Sequence, residues 1–179
     1  MSFDATPWLL KGAVTGAGVL SGLYFIFSVC VMRALNLQPP ATAITTMNTI
    51  NLVIVNPPFM AVFMGTPIIC AWLLLRLCFK EGLGVSLDNT LSAAGALCLL
   101  LGEFVLTLAV HIPKNDALAA YTVGSGSDAL VWARYYSTWT PWNHVRMLAS
   151  LVTMFLHISA IHHRATRLAS GIARPPAMQ

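Results

Sequence analysis

LSAAGALCLLLGEFVLTLAVHI, residues 91–112, decides the fold. The stretch carries one acid, Glu103, and neither Lys nor Arg. At about 1.5 Å per residue it reaches as a helix across the roughly 30 Å hydrocarbon core of a bilayer. A strand of a membrane barrel would alternate apolar and polar residues over about ten positions, and here the run is continuous and rich in Leu, Ala and Val. Residues 12–35, 59–79 and 143–161 read the same way. The expectation is an all-α membrane protein, a single domain over 1–179 built as a four-transmembrane-helix bundle. An additional interfacial or re-entrant helix and an aromatic-rich extracytoplasmic segment complete it.

Composition agrees. Hydrophobic residues make up 57% of the chain and charged ones 9%, with mean hydropathy +0.73, so lipid rather than water is the main solvent. The net charge of +4 comes from ten Lys and Arg spread along the whole chain. They form no basic patch of the kind nucleic acid requires, and the bilayer is the expected partner. Cys30, Cys70, Cys78 and Cys98 lie inside apolar stretches without CxxC spacing and read as buried thiols. The opening MSFDATPWLLKG lacks the features of a removed leader, so the first span is expected to remain as an anchor. That span carries two GxxxG pairs, Gly12 with Gly16 and Gly18 with Gly22, whose spacing allows close helix approach inside the bundle or between copies.

Between the spans, residues 41–56 are polar but uncharged and lead into Asn56-Pro57-Pro58. They suit a helix at the interface, covered by protein or lining a cavity. The third span is expected to end at Pro113. Residues 113–141 then form the longest non-spanning part, with Tyr121, Trp132, Tyr135, Tyr136, Trp139 and Trp142 suited to an interface. Four spans put Lys11, Arg76, Lys80, Arg164, Arg167 and Arg174 at one end and Arg33, Lys114, Arg134 and Arg146 at the other. By the positive-inside rule both termini are cytoplasmic, in a bacterial inner membrane.

Glu103, Thr107 and His111 recur every four residues and share one face of the third helix, while Asn143, Arg146, Ser150, Thr153 and His157 follow 3,4,3,4 spacing on the fourth. Charged groups at mid-membrane face a bundle interior or a wet cavity. The two stripes should therefore meet, with Arg146 near Thr107 and His111 and within reach of Glu103. Glu103 with Arg146 is either a register-fixing ion pair or a pair that handles protons and orients substrate. His111 is either a satisfied interfacial histidine or a base or ligand. The cofactor is left open: a metal held by His111 and Glu103 is one option, but neither Asp116 nor His144 joins them in a spacing such as HExxH. The His162-His163 pair, beside a basic tail, suits headgroup contact. No GxSxG, P-loop, GxGxxG or haem-attachment signature is present.

Several blocks together resemble the anthrone oxygenase-like family of small integral membrane proteins. They are Met47-Asn48-Thr49-Ile50-Asn51 leading to Asn56-Pro57, then His111-Ile112-Pro113-Lys114-Asn115, then Trp139-Thr140-Pro141-Trp142-Asn143-His144-Val145-Arg146. The resemblance implies a four-helix fold and oxidation of an anthrone, or a similar flat, apolar aromatic or quinol-like substrate, with molecular oxygen. In that chemistry His111 is the base, Arg146 with Asn143 or Asn115 steadies the enolate oxygen, and Glu103 joins the catalytic group. Trp139 or Trp142 stacks on the substrate, and Asn51 and Thr107 contact it. Two other classes compete. A non-catalytic accessory subunit of a larger membrane complex would have a sealed centre, and a transporter component, built as a homo-oligomer, would have a continuous hydrated path.

Overall fold

A computed structural model of the chain describes residues 4–171; Arg174 lies outside the described residues. Four helices are long and apolar enough to cross a membrane: α1 (Thr6–Asn36), α3 (Pro57–Glu81), α4 (Leu87–Ala119) and α5 (Asp128–Ala169). A fifth, α2 (Pro40–Val53), lies between the first two. Among the described residues there is no strand. The protein is an all-α integral membrane bundle.

Neighbouring helices run up and down around the bundle, α1 packing on α3 and α5, and α4 on the same two. Three apolar clusters fill it. Leu10, Ala13, Leu73, Leu99 and Ala160 lie towards the chain termini, and Leu20, Tyr24 and Phe63 lie in the middle. At the other end Met32, Ile44, Met47, Leu118, Trp132 and Trp139 pack where α2 meets α1, α4 and α5.

Each helix contains the expected apolar span and overshoots it. Hydropathy registers only the part dissolved in lipid, whereas main-chain hydrogen bonding carries a helix on into polar sequence. Two boundaries need correction. Pro113 does not end the third span: π-helical turns at Leu100–Val105 and Thr107–His111 precede it, and α4 continues through Pro113 to Ala119. A π turn has already opened the regular hydrogen-bond ladder where proline's missing N–H and its ring would otherwise break it. The aromatic segment is likewise mostly helix. Trp132, Tyr135 and Trp139 stand on the first turns of α5 facing inward, and a loop of eight residues, 120–127, with Gly124 and Gly126 at positive φ, separates α4 from α5.

Local chemistry sets α2 and the start of α3. Proline opens both helices, at Pro40 and Pro57, where a missing N–H costs nothing. Asn56 caps α3, its side-chain oxygen accepting from the Phe59 amide at 3.1 Å. On α2, Thr45 and Thr49 donate to the carbonyls of Ala41 and Thr45, both at 2.9 Å, which satisfies their hydroxyls without charge.

The first GxxxG pair packs α1 against α3. Gly12 faces Ile69, and a β-carbon at Gly16 would meet the Thr66 methyl at 2.9 Å. Nothing lies within 4 Å of a β-carbon at Gly22. Gly16→Val should therefore lower stability by about 1–3 kcal/mol by overpacking this seam, while Gly22→Ala leaves the melting temperature in detergent nearly unchanged. Equal effects at the two sites would contradict this packing.

The cysteine expectation is half right. Cys70 is buried, but Cys30 and Cys78 are exposed on the outside of the bundle. Hydrocarbon accepts a thiol as readily as a protein core does, so an apolar run does not reveal which face turns inward.

At the terminal end an ionic cluster ties all four spans together. Arg164 reaches Asp4 at 2.5 Å, Glu81 at 3.4 Å and Asp88 at 3.5 Å. Arg167 pairs with Asp88 at 2.8 Å, and Arg76 with Glu81 at 3.2 Å. Thr6 donates to Glu81 at 2.7 Å.

Candidate functional site

Both polar stripes turn inward. Glu103, Thr107 and His111 are buried on α4, as are Asn143, Arg146, Ser150, Thr153 and His157 on α5. The π turns of α4 carry the first three, and such turns often mark functional sites because they re-aim side chains within a continuous helix.

Beside the stripes lies a cavity of about 330 Å³, within the usual range for small-molecule sites. Its apolar wall comes from α1, α2 and α3, with Leu23, Phe27, Ile54, Phe59 and Phe63 prominent. The polar wall comes mainly from α4 and α5: Thr107, His111, Asn115, Trp139 and Arg146, joined by Asn51 of α2 and Tyr24 of α1.

Arg146 is held through both terminal nitrogens and by two aromatic rings. Its Nη1 donates to Thr107 Oγ1 at 3.1 Å and its Nη2 to Asn143 Oδ1 at 2.7 Å. The Thr107 hydroxyl gives its own proton to the Glu103 carbonyl at 2.8 Å, leaving its lone pairs for the arginine. The guanidinium stacks over the Tyr24 ring at 4.3 Å and lies 5.4 Å from the Trp139 ring. Asn143 in turn donates to the Tyr24 carbonyl and the Ser28 hydroxyl, both at 2.8 Å.

The expected Glu103–Arg146 ion pair is not formed. Tyr24 stands between them, offering its ring face to the guanidinium and its hydroxyl to the Glu103 carboxylate. Helical spacing shows which faces meet, but not that a third helix inserts a side chain between them. The second Glu103 oxygen has no partner.

His111 is 1% exposed, and neither ring nitrogen completes a hydrogen bond. The main chain of Leu106 and of Trp139 offers it only weak, poorly aligned hydrogen bonds. Trp139 meets the imidazole edge to face, with ring centroids 5.0 Å apart, and so fixes its plane.

Six of the nine expected site residues thus wall one cavity: His111, Arg146, Asn115, Asn51, Thr107 and Trp139. Asn143 and Glu103 lie behind it, supporting Arg146 and Tyr24. Trp142 faces outward, 44% exposed, because it is about 100° around α5 from inward-facing Asn143. His144 and Asp116 are exposed as well. Among the described residues no three His, Cys, Asp or Glu side chains are grouped so that they could hold a metal ion, and the Glu103 carboxylate is engaged by Tyr24. Sequence reasoning passed over Tyr24. Its signal was the 3,4 spacing of Ser21, Tyr24 and Ser28, a polar stripe on the first span.

Residues 59–156, more than half of the chain, match the family model of anthrone oxygenase. The chain belongs to the anthrone oxygenase family. The match runs from the start of α3 well into α5 and takes in His111, Asn115, Trp139, Asn143 and Arg146. Tyr24 and Asn51 lie outside it. No curated protein and no solved structure matches the chain. Within the family frame, an apolar, aromatic-walled cavity beside an unpartnered histidine and a clamped arginine has the parts needed to take a proton from carbon and to steady the resulting negative oxygen.

Proposed function

We propose that this anthrone oxygenase family member oxidises a flat, apolar, anthrone-like arene with molecular oxygen inside the cavity. One observation carries the reading. Both His111 ring nitrogens and Arg146 Nε are buried without partners, and all belong to residues walling the same mostly apolar space. Buried polar groups are almost always satisfied, and a ligand bearing oxygen would satisfy these.

His111 takes a proton from the ring methylene, and the charge delocalises onto the carbonyl oxygen beside Arg146. The resulting carbanion gives one electron to oxygen, the radical pair closes to a carbon-bound peroxide, and His111 returns its proton to it. Loss of the second C–H proton breaks the O–O bond, so substrate plus O2 gives the ketone plus water. Trp139 and Phe27, their rings 6.0 Å apart and tilted by 42°, supply an aromatic wall. An accessory subunit would have a sealed centre, so the cavity favours the enzyme. The basic residues at the terminal end support a bacterial inner-membrane orientation with both termini cytoplasmic, which puts the cavity nearer the extracytoplasmic face.

Oxygen uptake by the purified protein with anthrone tests the reading. Arg146→Lys keeps the charge but cannot bridge Thr107 and Asn143 while stacking between Tyr24 and Trp139. It should lower kcat by about 10²-fold, with a smaller effect on KM. Wild-type protein that does not accelerate uptake over buffer, or a variant as fast as wild type, would sink the proposal.

A further inference from the structure

The cavity has a second polar pole, about one helical turn beyond His111. Asn115 Oδ1 accepts from Tyr135 Oη at 2.8 Å and from Trp139 Nε1 at 3.0 Å. An indole N–H only donates, so the Asn115 atom facing it must be the carbonyl oxygen. The Asn115 amide nitrogen then faces Asn51, and its acceptor there, at 3.2 Å, is Asn51 Oδ1. Chemistry therefore fixes both amide orientations in turn and leaves Asn51 Nδ2 as the open end of the chain. That nitrogen is buried on a residue of the cavity wall. The Tyr135 oxygen takes one of its two protons, and the second stays available to a ligand.

Thr107, His111 and Asn115 succeed one another at four-residue steps along α4, roughly 6 Å apart. The first holds Arg146 and the last holds Asn51, so two hydrogen-bond donors flank the histidine. A substrate whose enolising oxygen lies at Arg146, with its reacting carbon at His111, directs its far edge towards Asn51. We infer that Asn51 is a specificity-determining donor that selects arenes carrying an oxygen at the lateral edge of an outer ring, rather than at the position flanking the reacting carbon or the carbonyl. The inference rests on the arene-binding reading above and adds the substitution pattern that the arene carries. Asn51 sits on α2, outside the residues matching the family, so selectivity and reaction reside on different parts of the chain.

Two isomers separate these ideas: 2-hydroxyanthraquinone, with its oxygen on the remote edge, and 1-hydroxyanthraquinone, with its oxygen beside a carbonyl. Binding of each to the full chain in detergent is read by quenching of tryptophan fluorescence, with unsubstituted anthraquinone as reference. Wild type should prefer the 2-isomer by about 3- to 10-fold, the yield of one hydrogen bond. Asn51→Leu and the smaller Asn51→Ala should bind the two isomers equally. The preference is a ratio within each protein, so a modest loss of stability does not imitate it. Equal binding by wild type, or a preference that survives both substitutions, overturns the inference and leaves the arene site standing. Failure of wild type to bind any of the three quinones overturns the arene site and the inference with it.

Discussion

Replacing His111 with Phe is expected to remove turnover and to leave the bundle at least as stable as before. A positioned general base contributes about 10²- to 10⁴-fold, so kcat for anthrone oxidation should fall by at least about 10²-fold. The stability side follows from the same geometry. His111 is buried with both nitrogens unpartnered, and exchanging an unsatisfied buried polar group for an apolar one of similar shape is neutral or stabilising. Phenylalanine can keep the edge-to-face contact that Trp139 now makes at 5.0 Å. Activity and stability thus move apart, as expected where an active site holds groups that the fold does not need. Turnover within tenfold of wild type would remove His111 from the reaction. A loss of several degrees in melting temperature would make it a structural residue.

Arg164→Leu should have the opposite profile, a large stability loss at a place remote from the cavity. Arg164 is 5% exposed and touches Asp4, Glu81 and Asp88, residues from the start of the chain, α3 and α4. Removing one partner of a buried ion pair leaves carboxylates short of a counter-charge, which costs about 3 kcal/mol. Arg76 and Arg167 remain on Glu81 and Asp88 and hold the loss near the lower end of what such changes cost. Chemical denaturation in mixed micelles measures it, and a variant within about 0.5 kcal/mol of wild type would show that the cluster contributes no stability.

The same cluster has a pH signature. Partial burial pushes the Asp4 carboxyl up, but hydrogen bonds from Thr6 and Arg164 and the arginine's charge outweigh this, holding it at about 2 against an ordinary 3.8. A carboxyl with a depressed folded-state value stabilises the fold above its unfolded value, and that contribution fades as pH falls from about 4 towards 2. Asp4→Asn should flatten this part of the acid-stability curve, and an unchanged slope would argue against the pairing.

Hydropathy made the four spans legible, and the two polar stripes made the meeting of α4 and α5 legible, because lipid leaves an ionisable face only the bundle interior. Helix ends were less so. The first turns of α5 carry Trp132, Tyr135 and Trp139 in sequence that reads equally well as an interfacial loop, and only their packing with Met32, Ile44 and Met47 shows an inward helical face. Pro113 is ordinarily a stop signal, and the π turn that accommodates it has no sequence mark of its own. In the site, spacing put Arg146 beside Thr107 but could not place Tyr24, which arrives from a different helix and turns an expected ion pair into a relay of contacts. The Asn51–Asn115 link joins residues 64 apart in sequence. Both were individually visible, but only the fold brings them together.

The most direct test of the central claim, that His111 takes a proton from carbon inside the cavity, needs no oxygen. Anthrone is incubated anaerobically with the purified protein in deuterated water, and exchange of its methylene protons is followed by NMR. Wild type should accelerate exchange well above buffer with detergent alone, and His111→Phe should return it to that background. No acceleration by wild type, or equal acceleration by the variant, would contradict the account.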